Sequence, residues 1–116
     1  MGKIKQVYPC ALQLTFDVIG GKWKLIILWH LIQQPKRFSQ IRELLPQLTQ
    51  KILTEQLREL EEREIIVRSV YQEVPPHVEY GLSEIGKTLI PLIHSLCEWT
   101  NEYADMKNIV IAEDEF

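Results

Sequence analysis

Cysteine is scarce: Cys10 and Cys97 are the only two in 116 residues, too few for a disulfide framework and suited to a reducing compartment. Glycine (5) and proline (6) are sparse and scattered, which excludes collagen-like and low-complexity chains. Long apolar runs are missing as well. The longest, residues 25–32, is interrupted by His30 and falls far short of the roughly 20 residues that span a bilayer. Tyr8, Pro9 and Asp17 interrupt any candidate secretory h-region, and position 6 is Gln rather than the Ser or Thr of a myristoylation signal. A cytoplasmic protein without membrane contact is expected. No Gly-rich phosphate loop, nucleophile elbow or HExxH signature is present, so neither an enzyme nor a cofactor is expected. His94, Cys97 and Glu98 share one helical face but lack a fourth ligand, so no metal site is expected.

What is present is ordinary globular material, 46% hydrophobic and 25% charged, enough for one core. The formal net charge of -3 is unevenly spread. Residues 22–68 carry nine basic side chains against six acidic ones, whereas residues 69–116 carry Lys87 and Lys107 against nine acids. A polyanion can therefore meet the middle of the chain but not all of it. Taken alone, the split is better read as two solvated faces.

Periodicity organises the rest. Ala11, Leu12, Leu14, Thr15, Val18 and Ile19 predict a first short helix, broken at Gly20-Gly21. Residues 22–34 are apolar on nearly every side and predict a central core helix, stopped by Pro35. His30 reads as a core-edge histidine, and Lys22 and Lys24 read as solubilising flanks. After a strand stub at residues 36–38, Ile41, Leu44 and Leu45 predict a two-turn amphipathic helix from Ser39, ended by Pro46. Thr49 is the expected N-cap of a helix running to about Glu62, with Ile52, Leu53, Leu57 and Leu60 inward. The period then changes. Residues 66–71 and 77–82 are β-branched and alternating, and Val74-Pro75-Pro76 between them predicts a hairpin with a stiff tip and a bulge at Gly81. Ser83 is the expected N-cap of one long helix over residues 84–104, kinked by Pro91. Residues 107–116 form a tail, expected to be frayed or docked on a partner.

Two helices joined by a short turn, expected to be three residues, and followed by a hairpin make a winged helix-turn-helix. The expected fold is α+β and mostly helical, with a two- to three-stranded antiparallel wing and terminal dimerisation helices. Residues 1–106 make a single winged-helix DNA-binding domain that includes those helices. Particular stretches carry a family likeness. Gly20-Gly21-Lys22-Trp23-Lys24-Leu25 following Cys10, Arg37-Phe38-Ser39, residues 53–60 (LTEQLREL) and residues 74–80 (VPPHVEY) resemble the HxlR family of bacterial winged-helix transcription regulators. The resemblance covers about residues 8–100. It implies a homodimer on an inverted-repeat operator, with the terminal helices at the dimer interface. It also implies, for some members, a response to electrophiles or oxidants through the N-terminal cysteine. Three positions depart from the pattern: Glu64 stands where glycine usually closes the recognition helix, His77 where Arg is common, and Gly81 where Ser or Thr is usual. The first removes an easy left-handed cap; the second weakens fixed positive charge at the wing.

Candidate residues follow from the helix beginning at Thr49. Gln50, Lys51, Thr54 and Arg58 are the base readers, with Glu55 either accepting from cytosine or holding Arg58. Lys36, Arg37, Ser39, Gln40 and Arg42, with Thr49, are the phosphate contacts, Ser39 also serving as a cap. Gln72 and His77 are the wing candidates for the backbone or minor groove, a stiff hairpin tip without function being the equal alternative. Leu92, Leu96, Trp99 and Tyr103 are the dimer candidates, as surplus apolar surface on the last helix. Cys10 is either a sensor thiol, with a small electrophile or oxidant as effector, or an inert filler; Cys97 reads as structural. Double-stranded DNA and a second copy are the expected partners. The rival reading is a winged-helix protein-interaction module without DNA binding, which the net charge favours. A third is a small-molecule site between the terminal helices, lined by Trp23, Trp29 and Trp99.

Overall fold

Residues 3–112 are described by the computed structural model. Six helices and three strands follow in the order α1 (Ala11–Ile19), α2 (Trp23–Leu31), β1 (Lys36–Arg37), α3 (Phe38–Leu44), α4 (Gln50–Glu62), β2 (Ile66–Tyr71), β3 (His77–Leu82), α5 (Glu84–Lys87) and α6 (Ile90–Met106). Helix α2 is the centre of the core. Its Ile27, Leu28 and Leu31 meet Ile41 of α3, Leu53, Leu57 and Leu60 of α4, Ile66 of β2 and Ile93 of α6. A helix apolar on nearly every side is covered on most of them. The strands form one antiparallel sheet in the order β1-β3-β2. The fold is the winged helix-turn-helix, with a three-stranded wing. No helix of the described residues is long and apolar enough to cross a membrane.

Several local expectations need correction. The core helix stops at Leu31, and the Ile32 N–H turns back to the Trp29 carbonyl. Its entry uses Gly21 at φ 91°, a region L side chains rarely adopt. The turn between α3 and α4 spans residues 45–49 rather than three residues, because Leu45 and Leu48 are buried within it. Gly81 marks no bulge: it pairs with Val67 in an unbroken ladder, and a Cβ there would crowd Pro35 at 3.3 Å. The expected helix over residues 84–104 is two helices. Pro91 opens α6 in its first turn, where its missing N–H costs nothing, instead of kinking a continuous rod. Helix α5 is held separately by Ser83, whose Oγ accepts from Gly86 N–H and lies 2.6 Å from the Glu64 carbonyl as donor. Gly86 permits this close approach, since a Cβ there would stand 2.1 Å from the Ile65 carbonyl oxygen.

The helix end without glycine is closed all the same. Glu64 adopts φ 61°, Ile65 N–H bonds the Leu60 carbonyl (2.9 Å) and Glu64 N–H bonds that of Glu61 (3.0 Å). These are the paired bonds of a Schellman cap. Asn108 closes α6 the same way, at φ 57° with Ile109 N–H on the Ala104 carbonyl.

Candidate nucleic-acid interface

Helix α4 is strongly two-sided. Leu53, Leu57 and Leu60 are at most 2% exposed, while Gln50, Lys51, Thr54 and Arg58 all face solvent. Thr49 caps it, its Oγ1 accepting from Ile52 N–H at 3.1 Å. With no acidic side chain in the first turn, its N-terminal half presents amide, ammonium and hydroxyl groups together with the positive end of the helix dipole. Farther along, Arg58 pairs with Glu62 at 3.3 Å, not with Glu55; the pair is exposed and loosely held.

A second element meets this edge. Ser39 and Arg42 of α3 share a surface hollow with Gln50, so the start of α3 and the start of α4 form one rim. Ser39 is not the cap expected of it, because α3 begins at Phe38 with Arg37 at the N-cap position. Gln40 supplies the local closure, its Oε1 accepting from Arg37 N–H at 2.8 Å. Its side-chain oxygen is thereby committed to the helix start, leaving the amide NH2 for an outside acceptor. Lys36 and Arg37 lie in β1 opposite Tyr80 and Glu79 of β3, at the root of the wing.

The two wing candidates separate. Gln72 is exposed at the hairpin tip, where the Val74–Pro75 bond is cis. His77 stacks on Tyr71 (centroids 4.8 Å apart), with a carboxylate oxygen of Glu73 and one of Glu79 each 3.2 Å from its ring nitrogens. The hairpin's own acids therefore surround the imidazole, and any positive charge on it is already answered.

One pairing joins residues far apart in the chain. Lys24, expected as a solubilising flank, is 1% exposed. Its ammonium donates to the Glu59 carboxylate and, at 3.0 Å, to Gln56 Oε1, tying α2 to the inner side of α4. Arg63 Nη1 lies 3.7 Å from the same Glu59 oxygen. The Lys24 hydrogen bond holds the Glu59 carboxyl below the usual glutamate range. A lone charge inside an apolar run was the available signal, since such a charge is buried only with a partner. Lys22 instead lies over the Trp23 ring, 4.8 Å from its centroid.

The outer side of α6 contrasts with this. Leu92, Leu96, Trp99, Tyr103 and Met106 recur at alternating spacings of four and three, and all are 43–76% exposed. Such a repeat has the spacing of a helix-packing seam. Trp99 and Tyr103 stack within it at 5.5 Å. The three tryptophans have different settings: Trp23 lies under Lys22, Trp29 is half-buried against the core and Trp99 is on the outer side of α6. Leu12 and Phe16 of α1 are likewise 65% and 59% exposed. Cys10 is exposed at the N-cap of α1. The preceding segment is pinned by Tyr8, whose hydroxyl donates to Asp17 at 2.6 Å and accepts from Lys5 N–H; the bond to Asp17 raises the Tyr8 pKa. Cys97 faces inward, half-buried against the core. In the tail, Ile111 borders an apolar groove between α2 and α6; residues 113–116 lie outside the described residues.

Comparison with known proteins agrees with this geometry. The profile of HxlR-like helix-turn-helix proteins matches residues 18–108. The HTH-type transcriptional regulator YdeP of Bacillus subtilis (strain 168) is 52% identical over 96 residues, 83% of this chain and 75% of YdeP. The redox regulator HypR in its reduced form superposes with a TM-score of 0.80 at 46% identity, covering 85% of this chain and 98% of that one. Reduced YodB, a transcriptional regulator from B. subtilis, gives 0.74 at 35% identity, over 84% and 95% of the two chains. With its helix pair, three-stranded wing and polar outward helix, this chain belongs to the HxlR-like helix-turn-helix family of DNA-binding transcriptional regulators.

Proposed function

We propose that the protein acts as a homodimer that reads an inverted-repeat operator, with the N-terminal half of α4 in the major groove of each half-site. Gln50, Lys51, Thr54 and Arg58 contact base edges: Gln suits adenine, Lys and Arg suit guanine. Lys36, Arg37, Ser39, Gln40 and Arg42 hold the flanking phosphates with Thr49 at the helix start, and Gln72 reaches the backbone from the wing. His77 acts indirectly, by ordering the hairpin between Glu73 and Glu79. Residues 1–106 work as a single unit carrying both the reading head and the dimerisation helices, with residues 107–116 as a tail.

The observation that carries the dimer is the bare seam on α6. Five large apolar side chains in a helix-packing repeat remain open to water in one copy, and the same surface on a second copy is self-complementary under a twofold. Two reading heads related by that twofold can reach half-sites about 34–36 Å apart. The test is selection of operators from random duplexes, followed by binding over a salt series. A dimeric reader returns a palindromic site and loses affinity steeply as salt rises. Recovery of no preferred sequence by a folded dimer would overturn the reading.

Cys10 is assigned as the sensor thiol. It is exposed and fixed at the start of α1. Among the structural neighbours, HypR is named a redox regulator, and YodB has been solved in quinone-bound form. With a quinone, the Cys10 thiolate adds to a ring carbon: the S–C bond forms as the ring C=C π bond opens, the electron pair moves onto the conjugated carbonyl oxygen, and that oxygen takes up a proton from water. Cys10→Ser should abolish any change in operator affinity on quinone treatment; an undiminished response excludes Cys10.

A further inference from the structure

A second hollow, away from both α4 and the α6 seam, combines features that, Lys36 apart, the DNA reading does not use. It lies where α2, β1, α3 and α6 converge, and measures about 330 Å³, within the range of roughly 300–1,000 Å³ typical of small-molecule sites. Trp29 of α2 and His94 of α6 meet edge to face in its wall, with centroids 5.8 Å apart and planes at 76°. Ile32 and Leu44 add apolar surface. The polar groups that border it are His30, Gln33, Lys36 and His94, and no carboxylate lines it. Lys36 is the one permanent charge in this lining. His30 is 7% exposed, and its pKa is held below the usual imidazole value, first by burial and then by the Lys36 charge. The hollow thus combines aromatic walls, donors and one lysine charge with no carboxylate in the lining, which is complementary to a planar apolar body carrying a negative head.

We propose that this hollow is a binding site for a small aromatic carboxylate, its ring against Trp29 and its carboxylate toward Lys36 and Gln33. Inorganic phosphate would leave the apolar walls unused, and a neutral aromatic would leave the lysine unanswered. Lys36 is also one of the assigned phosphate contacts, so an occupant draws one charge away from the DNA face. That consequence rests on the DNA reading; binding itself does not.

The test uses the full-length protein without DNA, titrated with benzoate, benzyl alcohol and inorganic phosphate while the imidazole signals of His30 and His94 are followed by NMR. Benzoate should produce saturable shifts of both signals. Benzyl alcohol and phosphate should bind about tenfold more weakly or not at all, the scale expected for losing one charge-assisted hydrogen bond or the ring contact. Lys36→Gln should weaken benzoate binding by about tenfold, and the surface variant His94→Gln should weaken it less while leaving the His30 shift observable. Absence of saturable shifts, equal response to benzyl alcohol, or full benzoate affinity in a folded Lys36→Gln protein would overturn the proposal.

Discussion

Helices α4 and α6 are both amphipathic, yet they end their apolar accounts differently. In α4 the apolar face is finished within one copy, with three leucines sealed under α2 and the outward face polar. In α6 only Ile93 and Ala104 are fully buried, and five large apolar side chains are left outside. A face that is complete can be presented to a polar partner, whereas an incomplete one must find an apolar partner. One copy therefore carries two kinds of surface, a polar one that suits the proposed DNA contact and an apolar one that suits the proposed contact with a second copy.

Breaking the incomplete face should have the largest effect. Leu96→Glu with Trp99→Glu places charges in the seam, and sedimentation should show a folded monomer. Operator affinity should fall on the order of a thousandfold, toward non-specific binding. A dimer that survives both changes would place the twofold elsewhere.

The inner anchor of α4 comes next. Glu59→Ala leaves the Lys24 ammonium buried with only Gln56, and breaking a buried pair from one side costs about 3–5 kcal/mol. Glu59 is 32% exposed, so solvent screening reduces the expectation to roughly 2–3 kcal/mol in denaturant unfolding. The outer face of α4 should behave oppositely. Arg58→Ala should leave stability within about 0.5 kcal/mol while costing about 1–2 kcal/mol of base discrimination at one operator position. Discrimination and stability measured on the same two variants separate the roles of the two sides.

Smaller changes sharpen the contrast between helix ends. Asn108 suits its left-handed cap, but Glu64 adopts the same conformation against its preference. Glu64→Gly should raise unfolding stability by about 0.5–1 kcal/mol, whereas Asn108→Gly should change little. Acid gives the last comparison. The Glu59 pKa is depressed in the folded protein, so its contribution is present above the ordinary glutamate range and is lost as pH falls through the folded value. Stability should decline on acidification below about pH 4.5, its ordinary range, and Glu59→Gln should flatten part of that decline.

Much of the candidate reading head is legible in the chain itself. The bounds of α1, the Thr49 cap, α4 and both wing strands follow from spacing and capping chemistry that act over three or four residues. The break between α5 and α6 is not legible in the sequence, because Pro91 is equally at home in a kink or a first turn; α5 is seated beside the start of β2 by the close approach of Gly86 to the Ile65 carbonyl. Lys24 was misread for a related reason: its partner Glu59 is 35 positions away, outside any local pattern.

Local periodicity and turn residues alone determined which segments become helices or strands and which sides of them are apolar, because those preferences arise between near neighbours along the backbone. Only the tertiary structure decided that Lys24 is an internal strut, that His77 is enclosed by its own hairpin's acids, and that Trp29, Lys36 and His94 border one hollow. Each of those results depends on segments far apart in sequence being brought within a few ångströms, and burial at that range changes what a charge or a ring can do.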